Sequence, residues 1–445
     1  MSSVSTDSGG DRVVRILIGT LPTTGHVRQA SALARALVAS GHEVAWYTGS
    51  VYGDLVRDCG ATFRSMSATV DMDDDYVQQM HIAAATRPGL LSMKWALLNL
   101  FIAPIPQWFA EMDEIAKEYQ PDVILTEHTF MAAIFLAEKR SLPSVTFSST
   151  PLNMMSVDTA PFGSGLPPSR SKAGRARNRL LNASAQRWIL GEPQTAANAV
   201  RRKLRLPERS TPFMSWGVEL STTYLAATVP EFEYPRSDLS PQIQFIGALI
   251  PPEPLDWYPP AWWGDIAAAR DDGRPVVVVT QGATAREPRR LLLPAVEALA
   301  TQNVLVIGTT GGPDPDLVLP VAERPDNLRL ARFLPFERLL PAADVLVTNG
   351  GYGGVQHALS LGIPLVVAGN SEDKMEVNAR VAWSGSGISL GRRDPSAEQI
   401  GRAVESVLTN PQYWYRAREL QNAYARLPSA KLAVDAVEAT AARRR

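Results

Sequence analysis

Short runs of aliphatic, mostly β-branched residues alternate along this chain with apolar positions at helical spacing, and no other feature narrows its fold as far. Val13-Val-Arg-Ile-Leu-Ile-Gly19 opens the pattern as a strand. After the loop Leu21-Pro-Thr-Thr-Gly-His26, Ala30, Leu33, Ala34 and Leu37 recur at helical spacing. Gly41 closes that helix, and His42 to Thr48 supplies the next strand. Strand, helix, strand at this length is the unit of a parallel sheet, because parallel neighbours need a long crossover. Val123 to Thr126 and Val145 to Ser148 read as further strands. Pro251-Pro-Glu-Pro254 and Pro259-Pro-Ala-Trp-Trp263 then read as a semi-rigid linker. Beyond it the pattern restarts, with strands at Val276 to Val279, Val304 to Ile307, Val345 to Val347 and Ile363 to Val367, and a helix from Leu291 to Leu299. The expectation is an α/β chain of two parallel-sheet halves: 12–248, a linker at 249–268, and 269–410, with a closing helical segment at 411–445.

Composition removes several alternatives. A length of 445 residues accommodates two or three domains with cores of their own. A formal net charge of -1 argues against nucleic acid as a partner. The single cysteine, Cys59, can form neither an internal disulfide nor a multi-thiolate metal site, which points to a reducing cytoplasm. The apolar stretch from Leu90 to Phe109 is interrupted by Lys94, Asn99, Pro104 and Pro106, so no membrane span is expected. Met1 to Asp11 lacks a basic and an apolar segment and reads as an unstructured leader. The basic stretch from Gly163 to Leu206 carries no interleaved aromatics and reads as a solvated face.

In such a fold, ligands gather where strands give way to helices. His26 stands at the first such junction, where a helix N-terminus disfavours the imidazolium and leaves a neutral ring suited to a general base. The competing reading is a histidine that only caps its helix. Glu127 follows the strand at Val123 and would orient the other ring nitrogen if the two meet; His128 competes for either role. Thr348-Asn-Gly-Gly-Tyr-Gly-Gly-Val355 places four glycines between a strand and a helix, a site for phosphate. It matches neither G-x-G-x-x-G nor G-x-x-x-x-G-K-[ST], so neither a dinucleotide fold nor an NTPase is indicated. Ser371-Glu-Asp-Lys-Met-Glu-Val-Asn378 crowds charges after the last of these strands, better suited to sugar hydroxyls than to a metal.

Taken together, these segments resemble the GT-B glycosyltransferases that use nucleoside-diphosphate sugars, in particular the macrolide and plant secondary-metabolite transferases. The resemblance covers nearly the whole chain. It is carried most strongly by Phe333-Leu-Pro-Phe-Glu-Arg-Leu-Leu340, the glycine-rich loop, Gly362-Ile-Pro364 and Glu372-Asp-Lys-Met-Glu-Val-Asn378. Gly25-His26-Val27 is similar to the segment bearing the family's base, and Glu231-Phe-Glu-Tyr-Pro-Arg-Ser-Asp238 with Phe245-Ile-Gly247 to the end of its first domain. The fold implied is GT-B, two Rossmann-like domains facing each other across a cleft that opens and closes, with the C-terminal helix crossing back to the first domain.

The resemblance also implies roles. His26 would deprotonate an acceptor hydroxyl, supported by Glu127 where the family usually has aspartate, and the sugar would transfer with inversion. Gly282, Ala283, Thr284, Asn349, Gly350, Gly351, Gly353 and Gly354 would hold the diphosphate. Phe333 would stack on the base, the Leu334 backbone would read its edge, and Asp373 with Lys374 would meet the sugar. Met80, Trp95, Trp108, Met154 and Met155 would line an apolar acceptor cleft, with ordinary core as the competing reading. The partners implied are a nucleotide-sugar, as co-substrate and not cofactor, and a small apolar hydroxylated acceptor, with no metal. Asn349 and Gly354 replace the family's diphosphate-binding histidine and Ser/Thr, Lys374 replaces a glutamine, and His357 replaces the glutamate that grips the ribose. The donor is left open between UDP- and dTDP-sugars. Another GT-B activity, epimerase or lipid-linked sugar transferase, and a non-catalytic homologue remain as alternatives.

Overall fold

The computed structural model describes residues 13–85, 90–254, 256–282, 287–369, 373–391 and 394–443. Two parallel sheets organise them, as the alternating pattern requires. The first contains β1 (Arg15–Gly19), β2 (Glu43–Thr48), β3 (Thr62–Ser65), β4 (Val123–Glu127), β5 (Ser144–Phe147), β6 (Thr223–Ala226) and β7 (Ile243–Phe245), in the order β3-β2-β1-β4-β5-β6-β7. The second contains β8 (Val276–Thr280), β9 (Leu305–Thr309), β10 (Leu328–Ala331), β11 (Val345–Thr348), β12 (Leu365–Val367) and β13 (Gly387–Ser389), in the order β10-β9-β8-β11-β12-β13. In both, the strand order reverses beside the first strand, between β1 and β4 and between β8 and β11.

Six helices matter to the site: α1 (Thr24–Ala39), α2 (Asp74–Ala85), α3 (Tyr352–Ser360), α4 (Lys374–Ser384), α5 (Pro411–Ala425) and α6 (Ser429–Ala442). Strand side chains alternate between the two faces of each sheet, so each sheet is buried twice. Ile16 and Ile18 pack with Leu33 and Leu37 of α1, while Leu17 faces the opposite layer with Ile134 and Phe135. Val276 and Val278 face α3 and α5, whereas Val277 and Val279 face Leu292 and Val404. Complete burial of each such valine contributes roughly 1.5–3 kcal/mol.

The closing segment is two helices where the sequence suggested one. α5 stays on the second domain, with Leu420, Ala423 and Tyr424 in its core. The crossing is made after Leu427, and α6 buries Ala433, Val434 and Val437 against the first sheet. The basic stretch is also not wholly a solvated face. Arg201 is fully buried, its two terminal nitrogens donating to Glu138 at 2.8 Å each and its Nε to the Pro207 carbonyl at 2.7 Å. Its guanidinium lies near the Phe135 and Trp216 rings, 5.1 and 5.4 Å from their centroids. A guanidinium with a bidentate carboxylate and two aromatic faces tolerates burial that a lone cation would not. Among the described residues, no helix is long and apolar enough to cross a membrane.

Candidate active site

β1 ends at Gly19, paired with Thr126 of β4, and the chain turns directly into α1. The side chain of Thr23, at the N-cap, makes no capping bond. The cap comes from elsewhere: Asp74, the first residue of α2, accepts from the Thr24 amide at 3.0 Å and from the Thr24 hydroxyl. His26 sits in this first turn. Its Nδ1 lies 3.2 Å from Glu127 Oε2, and the Ser149 hydroxyl lies 3.2 Å from the same nitrogen while donating to Glu127 at 3.3 Å. The structure therefore brings together the histidine and the carboxylate that the sequence placed 101 positions apart.

Glu127 is completely buried, which on its own would favour the neutral acid. The charge and hydrogen bond of His26, the nearby His128 and the Thr129 hydroxyl reverse that and take its pKa down to about 2. Thr129 supplies its amide at 2.9 Å and its hydroxyl at 2.6 Å. His128 also faces this carboxylate, its Nδ1 3.7 Å from Glu127 Oε2. Its Nδ1 accepts from the Ser149 amide at 3.4 Å, its Nε2 lies 3.2 Å from the Thr150 hydroxyl, and burial pushes its pKa down to about 4.

The glycine-rich loop forms the facing corner. Gly351 is the N-cap of α3, which aims its first amides into the turn. Gly350 has φ +90°, and a β-carbon there would fall 1.9 Å from Asn378 Oδ1, so any other residue would strain the backbone and push the Asn378 side chain aside. Asn349 is nearly buried and donates to the Gln281 carbonyl, tying the loop after β11 to the loop after β8 at Gly282. The buried Oδ1 atoms of Asn349 and Asn378 accept no hydrogen bond within the described residues. Ala283 and Thr284 lie outside the described residues, as do Ser371 and Glu372 of the acidic motif.

The two corners are joined across the cleft. Gln29, one turn from His26, donates to the Ser149 carbonyl at 3.3 Å, and its amide lies 3.6 Å from where a β-carbon of Gly353 would stand. Arg28 pairs with Glu337 of the second domain at 3.2 Å. His357, on α3, is buried; burial first and the Arg28 charge second take its pKa down to about 4. Phe333 is 57% exposed, while Leu334 is buried. Asp373 and Lys374 begin α4, the lysine largely buried.

The proposed acceptor lining divides. Met80, Trp95 and Met155 are half-buried. Trp108 corrects the expectation: it is fully buried beneath the first sheet, its centroid 5.0 Å from that of Phe130 and its Nε1 donating to the Val70 carbonyl at 3.3 Å. With its ring covered and its polar atom satisfied, it offers nothing to a ligand. Met154 is buried in a small cluster with Leu152 and Tyr224. Sequence reasoning missed Ser149, Asp74 and Gln29. Among the described residues, no group of three or more His, Cys, Asp or Glu is placed to hold a metal ion.

Comparison with known proteins identifies the fold and the family. The family described as erythromycin biosynthesis protein CIII-like, C-terminal domain, matches residues 306–440. The 4'-demethylrebeccamycin synthase of Lentzea aerocolonigenes is 39% identical over 424 residues, covering 95% of this chain and 99% of its own length. UDP-glycosyltransferase 2 of Phaeomoniella chlamydospora is 33% identical over 439 residues, with 96% of each chain covered. Among solved structures, the calicheamicin glycosyltransferase CalG4 superposes with a TM-score of 0.69 at 20% identity, over 97% of this chain and 99% of its own. The glycosyltransferase VinC, solved in complex with dTDP, gives 0.68 at 20% identity, over 96% and 100%. These structures share the two-sheet fold, the whole-length relatives share the sequence, and the chain belongs to the GT-B glycosyltransferases.

Proposed function

We propose that this chain is an inverting O-glycosyltransferase that moves a sugar from a UDP- or dTDP-sugar to a hydroxyl of a small apolar natural product. The observation that carries the reading is the 3.2 Å contact between His26 Nδ1 and a fully buried Glu127 at the cleft. With Nδ1 turned to the carboxylate, proton uptake falls to Nε2, and Glu127 stabilises the imidazolium that results. The acceptor oxygen gives its proton to Nε2 and bonds to the anomeric carbon from the face opposite the diphosphate. The bond from that carbon to the diphosphate oxygen breaks, and the nucleoside diphosphate leaves with the electron pair. Glycine-loop amides and the N-terminus of α3 stabilise the developing charge, so the reaction is expected to need no added metal and no resident cofactor. The open ring of Phe333 supports its role as a stacking platform for the base.

The names of the relatives support both nucleotide classes, since one is a UDP-glycosyltransferase and another structure was solved with dTDP. The test is a thermal-shift panel of UDP, dTDP and GDP with their sugars, followed by turnover of the hit. His26→Ala is expected to keep the shift and lose turnover, with activity unaffected by EDTA in the parent. A parent chain that shifts with none of the nucleotides would instead favour a non-catalytic homologue.

A further inference from the structure

A buried ion network spans the two domains outside the reacting groups. Arg380, on α4, is 1% exposed at its side chain. Its Nη2 and Nε donate to Glu233 Oε1 at 2.6 and 2.9 Å, and its Nη1 donates to Glu376 Oε2 at 2.9 Å. Glu233 belongs to the first domain, where its Oε2 accepts from the Leu152 amide at 3.0 Å. Arg236 donates to the same Glu233 at 3.1 Å and to the Leu152 carbonyl at 2.8 Å. Glu376 reaches the other way: its Oε1 accepts from the amides of Gly163 at 2.8 Å and Gly165 at 3.0 Å. Two carboxylates and two guanidiniums thus balance, all of them buried.

Such networks add little net stability over apolar packing of the same volume, while removing one partner leaves an uncompensated charge. What they supply is a fixed geometry. On the glycosyltransferase reading, the segments joined here are those that flank the two substrates. Leu152 precedes Met154 and Met155, and Gly163 and Gly165 lie in the same first-domain loop between β5 and the helix Lys172–Trp188. α4 starts at Lys374, beside Asp373. A small crevice of about 10 Å³ beside the network is lined by Met154, Phe162, Tyr234, Glu376 and Arg380, so the loop and α4 are packed closely together.

We propose that Glu376 is a positioning residue: it fastens the acceptor-side loop 158–166 to α4, holding the acceptor in register with the donor sugar. The proposal rests on the glycosyltransferase reading and concerns the same cleft. Kinetics would be followed with 2-naphthol as acceptor probe and whichever of UDP-glucose or dTDP-glucose the parent turns over. Glu376→Ala removes both the loop contact and the Arg380 partner; Glu376→Gln keeps an oxygen for the glycine amides. For Glu376→Ala the acceptor KM is expected to rise at least about tenfold, with donor KM and the nucleotide-induced thermal shift within about twofold of the parent. Glu376→Gln should recover most of the acceptor KM. Equal increases in both KM values, or an acceptor KM that does not move, would overturn the proposal.

A second route avoids the buried charge. A β-carbon at Gly165 would lie 3.9 Å from Met375 Cβ, within disulfide range. Oxidised Gly165→Cys/Met375→Cys should bind and turn over the probe with the parent's acceptor KM, because the linkage holds the contact Glu376 makes. If oxidation abolishes acceptor binding and reduction restores it, the loop must leave α4 to admit acceptor, and the proposal fails. A parent chain that binds no nucleotide would sink the glycosyltransferase reading itself, and this proposal with it.

Discussion

The two sheets repeat one topology but carry opposite chemistries at the same place. Each reverses its strand order beside its first strand, and each turns there into a helix that faces the other domain. At the β1/β4 break the loops deliver side chains: His26, Glu127 and, from the loop after β5, Ser149. At the β8/β11 break they deliver backbone, with Gly282 and the glycines 350 to 354. The topology decides where ligands gather, and the residues on the loops decide what happens to them. On the proposed reading, one corner moves a proton and the other holds an anion.

The largest expected effect tests the first corner alone. His26→Ala should lower turnover about 10²–10⁴-fold, as for loss of a general base, with nucleotide binding intact by thermal shift. Loss of the nucleotide shift in that variant would erase the division between the corners. Glu127→Gln keeps the side chain's shape and removes the charge that favours the imidazolium. The acid limb of its pH–rate profile should therefore move to lower pH, with turnover down by less than in His26→Ala.

The second corner should fail differently. Gly350→Ala forces a β-carbon onto Asn378 and an unfavourable φ, a strain of about 1–3 kcal/mol. Its nucleotide-induced thermal shift should collapse. A preserved shift would show that the loop amides do not hold the diphosphate.

Protonation should weaken both corners together, by a calculable sign. His128 and His357, one in each domain, have pKa values pushed down to about 4, below the unfolded value of 6.5. Between those limits the unfolded chain binds more protons, so stability is present above pH 6.5 and lost as pH falls toward 4. Each contributes on the order of 3 kcal/mol at most. Glu127 continues the same trend from about 4.5 down to about 2. Melting temperature measured from pH 7 to 4 should fall steadily, and His128→Asn should flatten the slope.

How much of this was legible in the sequence depended on the range of the interaction. The strands were readable because four consecutive valines at 276–279 and the run at 15–19 declare themselves locally. His26 and Glu127 were each readable as loop-end residues, but their pairing needed the β1–β4 register. Ser149 gave no signal, since a Ser-Ser-Thr after a strand is ordinary turn chemistry. Asp74 was submerged in an acidic run, although it caps a helix 50 residues away. Trp108 shows the limit most plainly: an aromatic in an apolar segment reads the same whether it walls a cleft or fills a core. Glu376 was counted with charges suited to hydroxyls, and only the fold shows it turned toward Gly163, Gly165 and Arg380.

The smallest expected effect is the one that sharpens the donor assignment. By resemblance, position 357 is where a glutamate grips ribose hydroxyls, and here it is a buried histidine beside Arg28. A ring with its pKa pushed down to about 4 is neutral at pH 7 and carries no charge to strengthen a ribose contact. His357→Glu would place a carboxylate at that position with Arg28 close enough to compensate it. A carboxylate that meets the ribose should favour UDP over dTDP, because only the former has the second hydroxyl. The expected change is a shift in the UDP-to-dTDP affinity ratio of about fivefold to tenfold, the worth of roughly one ordinary net hydrogen bond. An unchanged ratio, with the protein folded and both nucleotides bound, would mean that the ribose is held elsewhere in the second domain and that His357 serves packing.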